Sequence, residues 1–154
     1  MLPRPESREI VRTHYCTHQT NNFKSTLFSY NIASPDAAGK IELPEEFGFN
    51  LFESKLIQVR DFILVFKPMK EEKQIAVYKL EKLDSNKPTC KALPSLDYWV
   101  IKFAVACYHE HTIYLSGGKK GDMSWDTLNR VSAFDLVQNE WRDAPSIRSR
   151  RAFH

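Results

Sequence analysis

The sequence has few cysteines: three among 154 residues, at Cys16, Cys90 and Cys107, far apart along the chain. An odd number of separated cysteines without a CxxC pair supports neither a disulfide framework nor a zinc knuckle. We therefore predict a protein of a reducing compartment, with the cytoplasm as the first choice and the nucleus as the alternative.

Long apolar runs are also missing. Charged side chains interrupt residues 1–20, which disfavours a secretory signal. The longest apolar stretches, 62–66 and 103–108, are far shorter than the ~20 residues that cross a bilayer. We therefore expect no membrane partner.

A large excess of positive charge is lacking as well. Lys and Arg number 22 against 19 Asp and Glu, and the formal net charge of +3 is small for this length. A dedicated nucleic-acid binder usually concentrates positive charge on one face. No nucleic-acid partner is therefore expected.

Catalytic signatures do not occur: the sequence contains neither a nucleophile elbow, nor HExxH, nor an EF-hand loop. His14, Cys16 and His18 would share one face of an extended segment, but no fourth metal ligand is evident and we interpret them as surface residues. His109 and His111 fall in a turn and are interpreted as solvent-facing. The sequence thus predicts no enzyme activity, no metal site and no cofactor.

The sequence does contain short runs of Val, Ile, Phe and Tyr, broken by Pro, Gly, Asn and Asp. This pattern predicts an all-β protein. Strands are predicted near 24–32, 54–58, 62–67, 74–80, 103–109, 112–117, 130–136 and 139–143. A short helix is considered only for residues 5–13.

A repeat organises these strands. Residues 57–66 align with residues 108–117 at a shift of 51 positions, and both segments are predicted to be strand, tight turn and strand. The same shift carries Pro94 onto Pro145, while Pro44 lies 50 positions before Pro94. The chain therefore contains three related units.

Residues 104–154 carry the most distinctive pattern. An apolar strand ends in a glycine pair, an aromatic residue follows, a tryptophan stands seven positions later and a proline comes soon after it. These residues are Gly117, Gly118, Phe134, Trp141 and Pro145. Their order resembles the kelch repeat. The resemblance implies kelch-type antiparallel four-stranded blades, here about two to three blades of an incomplete β-propeller, either open or truncated.

The other two units depart from this pattern. The 51-residue shift places Phe66 and Lys67 at the glycine pair and Cys90 at the tryptophan, and in the first unit Lys40 takes the tryptophan position. Tyr30 and Tyr78 are the aromatic residues of the first two units. Residues 1–19 are predicted to be a poorly ordered segment or a short helix. The resemblance implies a degenerate partial blade at 20–50, a degenerate kelch blade at 51–101, and at 102–154 a kelch blade with the start of the next.

The motif residues have physical roles. Glycines tolerate positive φ and close backbone approach, so the Gly117-Gly118 pair is expected where a strand ends beside neighbouring chain. A phosphate-binding loop is the alternative, but Lys119-Lys120 do not complete the GxxxxGK[ST] spacing. Phe134 and Trp141 are interpreted as packing residues between blades, with an aromatic ligand platform as the alternative.

The resemblance implies a non-catalytic module that binds another protein through loops between strands. We expect the loop after the glycine pair to take part, with Trp125 either exposed or folded back over the blade edge. The candidate residues are Lys119, Lys120, Asp122, Trp125, Asp126 and Arg130. The basic residues of this loop are Lys119, Lys120 and Arg130. Together with Arg148, Arg150 and Arg151 they would form a positive rim suited to an acidic peptide.

Three further roles stay open. The resemblance is compatible with the substrate-recognition part of a ubiquitin ligase, with an actin-binding kelch protein, and with a fragment of a catalytic or sugar-binding propeller of the oxidase or epimerase type. Three units are also too few to close a ring. Either further sequence or self-association, such as a two-fold symmetric pair of chains, is expected to cover the outer sheet faces.

Overall fold

The computed structural model describes residues 11–14, 26–31, 34–42, 54–59, 62–82, 88–108, 111–120 and 126–150. The chain forms two compact units, Met1–Phe49 and Asn50–His154. Every regular element in the described part is a β-strand, so the predicted all-β class is confirmed. No helix long and apolar enough to cross a membrane occurs among these residues.

The first unit contains one antiparallel sheet. Its strands are β1 (Val11–His14), β2 (Thr26–Asn31) and β3 (Ser34–Glu42), in the order β1-β2-β3. The helix considered for 5–13 is wrong at its last residues, because residues 11–13 belong to β1 and pair with β2. Residues 1–10 lie outside the described part of the chain.

The second unit begins with a four-stranded antiparallel sheet. Its strands are β4 (Lys55–Val59), β5 (Phe62–Met69), β6 (Gln74–Glu81) and β7 (Thr89–Leu96), paired in chain order. In β5, residues 63–66 are all buried. A strand covered on both faces needs apolar residues at every position, which explains the continuous run Ile-Leu-Val-Phe.

A second four-stranded antiparallel sheet follows. It consists of β8 (Ala104–Tyr108), β9 (Thr112–Ser116), β10 (Val131–Asp135) and β11 (Glu140–Ala144), again paired in chain order. The antiparallel four-stranded sheets that the kelch resemblance implies are thus confirmed. The structure adds β1, β3 and β7, which the sequence did not predict.

The two four-stranded sheets pack face to face, with β4 against β8 at one edge and β7 against β11 at the other. The core between them joins Leu64, Phe66 and Val77 of the first sheet to Ile113 and Phe134 of the second. Burial of these side chains supplies the main stabilisation, about 1.5–3 kcal/mol for each large one. Because matching strands lie beside each other, the sheets stack in the same sense, as blades do.

The 51-residue alignment is wrong by one position in the β5 and β9 strands. Val59 pairs with Phe62 and is separated from it by two residues, whereas Tyr108 pairs with Thr112 and is separated from it by three. Phe62 therefore corresponds to Thr112, 50 positions on. A slip of one residue moves a side chain to the other face of a sheet, so the correction decides which residues are equivalent.

The corrected register changes two equivalences. The glycine pair Gly117-Gly118 corresponds to Lys67-Pro68 and not to Phe66-Lys67, because Ser116 occupies the position of Phe66. Phe134 corresponds to Leu80 and not to Tyr78, since each lies opposite an isoleucine of the preceding strand.

The equivalence of Trp141 and Cys90 agrees with the register. Trp141 pairs with Phe134, and Cys90 pairs with Leu80. In the first unit Lys40 pairs with Phe28, so Phe28 and not Tyr30 takes the matching place in β2. The paired positions of Phe134 and Trp141 therefore have counterparts in the other two sheets at the level of backbone pairing.

Candidate binding groove between two sheets

The glycine pair ends β9 and redirects the chain. Gly117 has φ 66° and Gly118 has φ 97°, in the range that residues with a side chain rarely adopt. A Cβ on Gly118 would lie 3.0 Å from the Ile101 carbonyl oxygen and 3.2 Å from Val100. Glycine is therefore required at position 118 both for backbone conformation and for space.

The segment after the glycines is tied to the connection between the sheets. Lys119 donates its backbone N–H to the Ile101 carbonyl at 2.9 Å, and Ile101 donates to Lys119 at 3.0 Å. Lys119 is only 9% exposed. The backbone pairing draws Lys119 into the junction between the sheets, and its part in partner binding stays a prediction.

The remaining residues of the predicted loop have different positions. Lys120 and Asp126 are exposed, and the Lys120 N–H donates to the Asp126 carbonyl at 3.3 Å. Asp122 and Trp125 lie outside the described residues. Arg130 is half-buried and directly precedes β10, where it takes part in the site described below.

Phe134 and Trp141 form a cross-strand aromatic pair with ring centroids 5.0 Å apart. Phe134 is fully buried, whereas Trp141 is half-buried. The Trp141 indole N–H donates to the Pro94 carbonyl at 2.8 Å and so links β11 to β7 of the other sheet. Pro145 follows β11 and is exposed. The tryptophan thus joins the two sheets at their outer edge.

A groove of about 400 Å³ opens at this junction. Its lining residues are Pro94, Ser95, Leu96, Asp97, Arg130, Ser132, Trp141, Arg142 and Asp143. One wall is the end of β7 and the other is β11, with β10 between them. The volume lies within the roughly 300–1,000 Å³ that is usual for ligand pockets, so the groove is large enough for several side chains of a partner.

Arg130 is the central polar group of the groove. Its guanidinium lies over the Tyr98 ring at 4.3 Å, the geometry of a cation–π contact. Nη2 and Nε donate to the same carboxylate oxygen, Oδ1 of Asp143, at 2.9 and 3.2 Å. One face and one edge of the guanidinium are thus held in place.

Tyr98 supports this arrangement from below. Its hydroxyl lies 3.2 Å from Ser132 Oγ, and either group can donate the hydrogen bond. Burial raises the pKa of the Tyr98 phenol, while the Ser132 hydrogen bond and the Arg130 charge oppose the change. The ring therefore stays neutral at physiological pH and offers a stable surface for the guanidinium.

Further charges surround the groove. Asp97, Arg142 and Asp143 are exposed. The Ile147 N–H donates to the Asn129 carbonyl at 2.9 Å, which holds the segment after β11 beside the residue that precedes Arg130. This segment continues into the exposed Arg148 and Arg150, whereas Arg151 lies outside the described residues.

Sequence reasoning missed most of this groove. Arg130 and Trp141 were candidates, but Tyr98, Asp143 and the end of β7 were not. The contacts join residues 34 positions apart for Tyr98 and Ser132, and 47 positions apart for Pro94 and Trp141. A single sequence carries no signal for pairs so distant without a register, and the register was one residue off in β9.

The described part of the chain contains no group of three or more His, Cys, Asp or Glu side chains that could hold a metal ion. His111 is exposed in the turn before β9. Of the N-terminal candidates only the backbone of His14 is described, in β1. Cys16, His18 and His109 lie outside the described residues.

Comparison with known families identifies part of the chain. Residues 102–148 match the family model of the kelch motif. The kelch resemblance is therefore confirmed over this segment, which includes the whole β8–β11 sheet and, from Arg130 to Asp143, one side of the groove. No curated protein matches the chain.

Proposed function

We propose that the protein is a non-catalytic interaction module that binds a segment of another protein in the groove between β7 and β11. The kelch motif at 102–148 supports an interaction role. The observation that carries the proposal is the groove itself, where a half-buried tryptophan and a stacked arginine meet at the junction of two sheets.

The groove has the composition of an interaction hot spot. Trp and Arg are enriched among residues whose truncation weakens binding most, and such residues lie in pockets shielded from water. Trp141 and Pro94 provide apolar surface, while Arg130 and Asp143 provide directional polar groups. A partner segment would therefore find both a hydrophobic contact and hydrogen-bonding groups within one site.

The groove is a better candidate than the loop that follows the glycine pair. Lys119 is buried and its backbone is paired. Arg130, which the sequence assigned to the loop, lines the groove and contacts Tyr98. We therefore place recognition at the outer junction of the sheets, with Lys120 and Asp126 at most at its margin.

Site-directed crosslinking tests this function. A photo-reactive amino acid is placed at Ser95 in the groove wall, or at Gln138 in the turn between β10 and β11 as a matched control, since both positions are exposed. Each protein is irradiated in an extract of the cells that produce it, and the adducts are identified by mass spectrometry. A protein captured from Ser95 but not from Gln138 is the expected result.

Two outcomes contradict the proposal. Identical adducts from both positions would mean that capture does not depend on the groove. Capture of a second copy of this chain from Ser95 would instead show that the groove is a self-association surface.

A further inference from the structure

The Arg130 donors that have no partner among the described residues indicate what the groove recognises. Resting on the function proposed above, we infer that an extended partner segment places an Asp or Glu side chain against Arg130 and an apolar side chain against Trp141. The partner is thus a protein segment with an internal acidic residue.

Arg130 has capacity for a second anion. A guanidinium carries five N–H donors in a planar fork. Asp143 Oδ1 accepts one hydrogen bond from Nε and one from Nη2. The other three, including both on Nη1, have no partner among the described residues. The Nη1–Nη2 edge can therefore donate two parallel hydrogen bonds to a ligand carboxylate, the strongest arrangement for an arginine–carboxylate pair.

The guanidinium is already oriented for this contact. Stacking on Tyr98 at 4.3 Å fixes its plane, and Asp143 holds the adjacent Nε–Nη2 edge. A preorganised arginine loses less side-chain entropy on binding than a free one. The Arg130–Asp143 pair is itself weak, since the two side chains are 43% and 75% exposed. Arg130 can therefore bind a ligand carboxylate together with Asp143, or in place of Asp143.

The surrounding charge favours an anion over a cation. The lining itself is balanced, with Arg130 and Arg142 against Asp97 and Asp143. The excess of positive charge comes from Arg148 and Arg150, on the segment that the Ile147–Asn129 hydrogen bond holds beside the groove. A basic ligand would have to compete with Arg130 for Asp143, which leaves Asp97 as its other carboxylate. An acidic ligand would instead bind the Arg130 donors that Asp143 does not occupy.

The walls define the shape of the ligand. Residues 94–97 of one wall and 141–143 of the other are strand segments or directly follow one. At about 3.3 Å per residue, such walls accommodate three or four residues of extended chain. Side chains two positions apart in an extended segment face the same way. An acidic residue on Arg130 therefore places an apolar residue two positions away on the exposed face of Trp141.

Peptide display tests the inference without knowledge of the natural partner. Seven-residue random peptides, flanked by constant sequence at both ends, are selected on the wild-type protein and on Arg130→Gln. The expected peptides carry Asp or Glu at one position with an apolar residue two positions away, and they are enriched only on wild type. Failure to enrich any peptide, or enrichment without an acidic residue, overturns the inference.

A thermodynamic cycle then tests the contact itself. An enriched peptide is synthesised with both ends capped, together with its Glu→Gln or Asp→Asn counterpart. Loss of the carboxylate should weaken binding to wild type about tenfold or more, because the hydrogen bonds to a charged group are lost. The same change should have little effect on Arg130→Gln. Equal losses on both proteins would overturn the inference.

Asp143→Asn provides a test of opposite sign. Removing the competing carboxylate should strengthen binding of the acidic peptide about two- to fivefold, the range expected for an exposed ion pair. An arginine that only stabilises the fold would not give this gain. Lys70→Gln, in the exposed turn between β5 and β6 and outside the groove, is the control for net charge and should change affinity less than about twofold.

The outcomes separate this inference from the proposed function. A partner that crosslinks to Ser95 and binds Arg130→Gln as tightly as wild type would support the groove as the binding site. The same result would overturn the inference that the groove recognises an acidic residue. Enrichment only from a second library with free C-termini would assign the carboxylate to a chain terminus and overturn the side-chain assignment. Absence of both crosslinks and enriched peptides would remove the function as well.

Discussion

The β4–β7 and β8–β11 sheets have the same strand order and pairing, yet only the second carries the motif residues. At equivalent positions the first sheet has Leu80 and Cys90 where the second has Phe134 and Trp141. The backbone arrangement therefore does not depend on the motif. It is maintained by hydrogen bonding between strands and by apolar burial on the facing surfaces.

The motif residues determine local features instead. Without a glycine pair, β5 continues through Lys67 and Pro68 to Met69 and returns by a tight turn. With Gly117 and Gly118, β9 ends at Ser116 and the chain crosses to pair with Ile101. The glycines thus decide where the strand ends and allow a longer connection to form.

The aromatic pair has a similar local effect. Trp141 reaches the Pro94 carbonyl of the neighbouring sheet and forms part of the groove. Cys90 occupies the matching position in β7 with a much smaller side chain. The candidate site therefore depends on the complete motif of the β8–β11 sheet, because Trp141 of this sheet lines the groove beside β7.

The largest expected effect concerns the matched core residues Phe134 and Leu80, which are 0% and 1% exposed. Phe134→Ala should lower the free energy of unfolding by about 3–5 kcal/mol, and Leu80→Ala by about 2–5 kcal/mol. Urea unfolding monitored by circular dichroism measures both. A loss below about 1 kcal/mol for either would show that the two positions are not equivalent core sites.

The second prediction concerns the glycine pair. Gly118→Ala should cost about 2–4 kcal/mol, because it combines an unfavourable backbone conformation with a contact of 3.0 Å to Ile101. Gly117→Ala is the matched control and should cost only about 1–2 kcal/mol, since its φ of 66° lies in the left-handed helical region. Equal losses in urea unfolding would show that space beside Ile101 is not limiting.

Much of the fold could be predicted from the sequence, because most strands have continuous or alternating apolar runs. The missed strands show the limit of that signal. β3 contains Pro35, Ala37, Ala38 and Gly39, residues with low strand propensity, and it forms through pairing with β2. β7 is mostly exposed, so burial imposes no pattern on it.

The register was harder to predict than the strands. Connections of two and of three residues differ by one position, and the sequence of 60–61 and 109–111 does not reveal which residues pair at the end of each hairpin. The site was harder still, because Arg130 becomes significant only when Tyr98 and Asp143 are placed beside it. Such contacts depend on tertiary structure and not on local pattern.

The third prediction tests the link that Trp141 makes between the sheets. Trp141→Phe keeps an aromatic ring against Phe134 but removes the donor to Pro94, and should cost about 0.5–1.5 kcal/mol. Trp99→Phe is the control, since the Trp99 indole makes no hydrogen bond to any described residue, and it should cost less. The Trp141 indole N–H should also exchange with solvent more slowly than that of Trp99. Faster exchange at Trp141 would contradict the hydrogen bond.

The smallest expected effect lies in the turn between β10 and β11. Asp135 Oδ1 accepts hydrogen bonds from the backbone N–H groups of Val137 at 2.9 Å and Gln138 at 3.0 Å. The bond from Gln138, followed by that from Val137, holds the pKa of the Asp135 carboxyl below its ordinary value of 3.8. Glu81, the equivalent residue in β6, makes no such bond to any described backbone group.

The pH dependence follows from the sign of this change. A folded-state pKa below the unfolded value of 3.8 means that the ionised carboxylate stabilises the folded state above that pH. The contribution is lost as the pH falls through the lower folded-state value. Asp135→Asn keeps an acceptor oxygen but does not titrate, so it should flatten part of the decline in unfolding free energy as the pH falls below about 4. Urea unfolding across this range, with NMR titration of the Asp135 carboxyl, measures the effect. Parallel acid profiles for the two proteins, or a carboxyl that titrates at or above 3.8, would show that the turn is not stabilised by this charge.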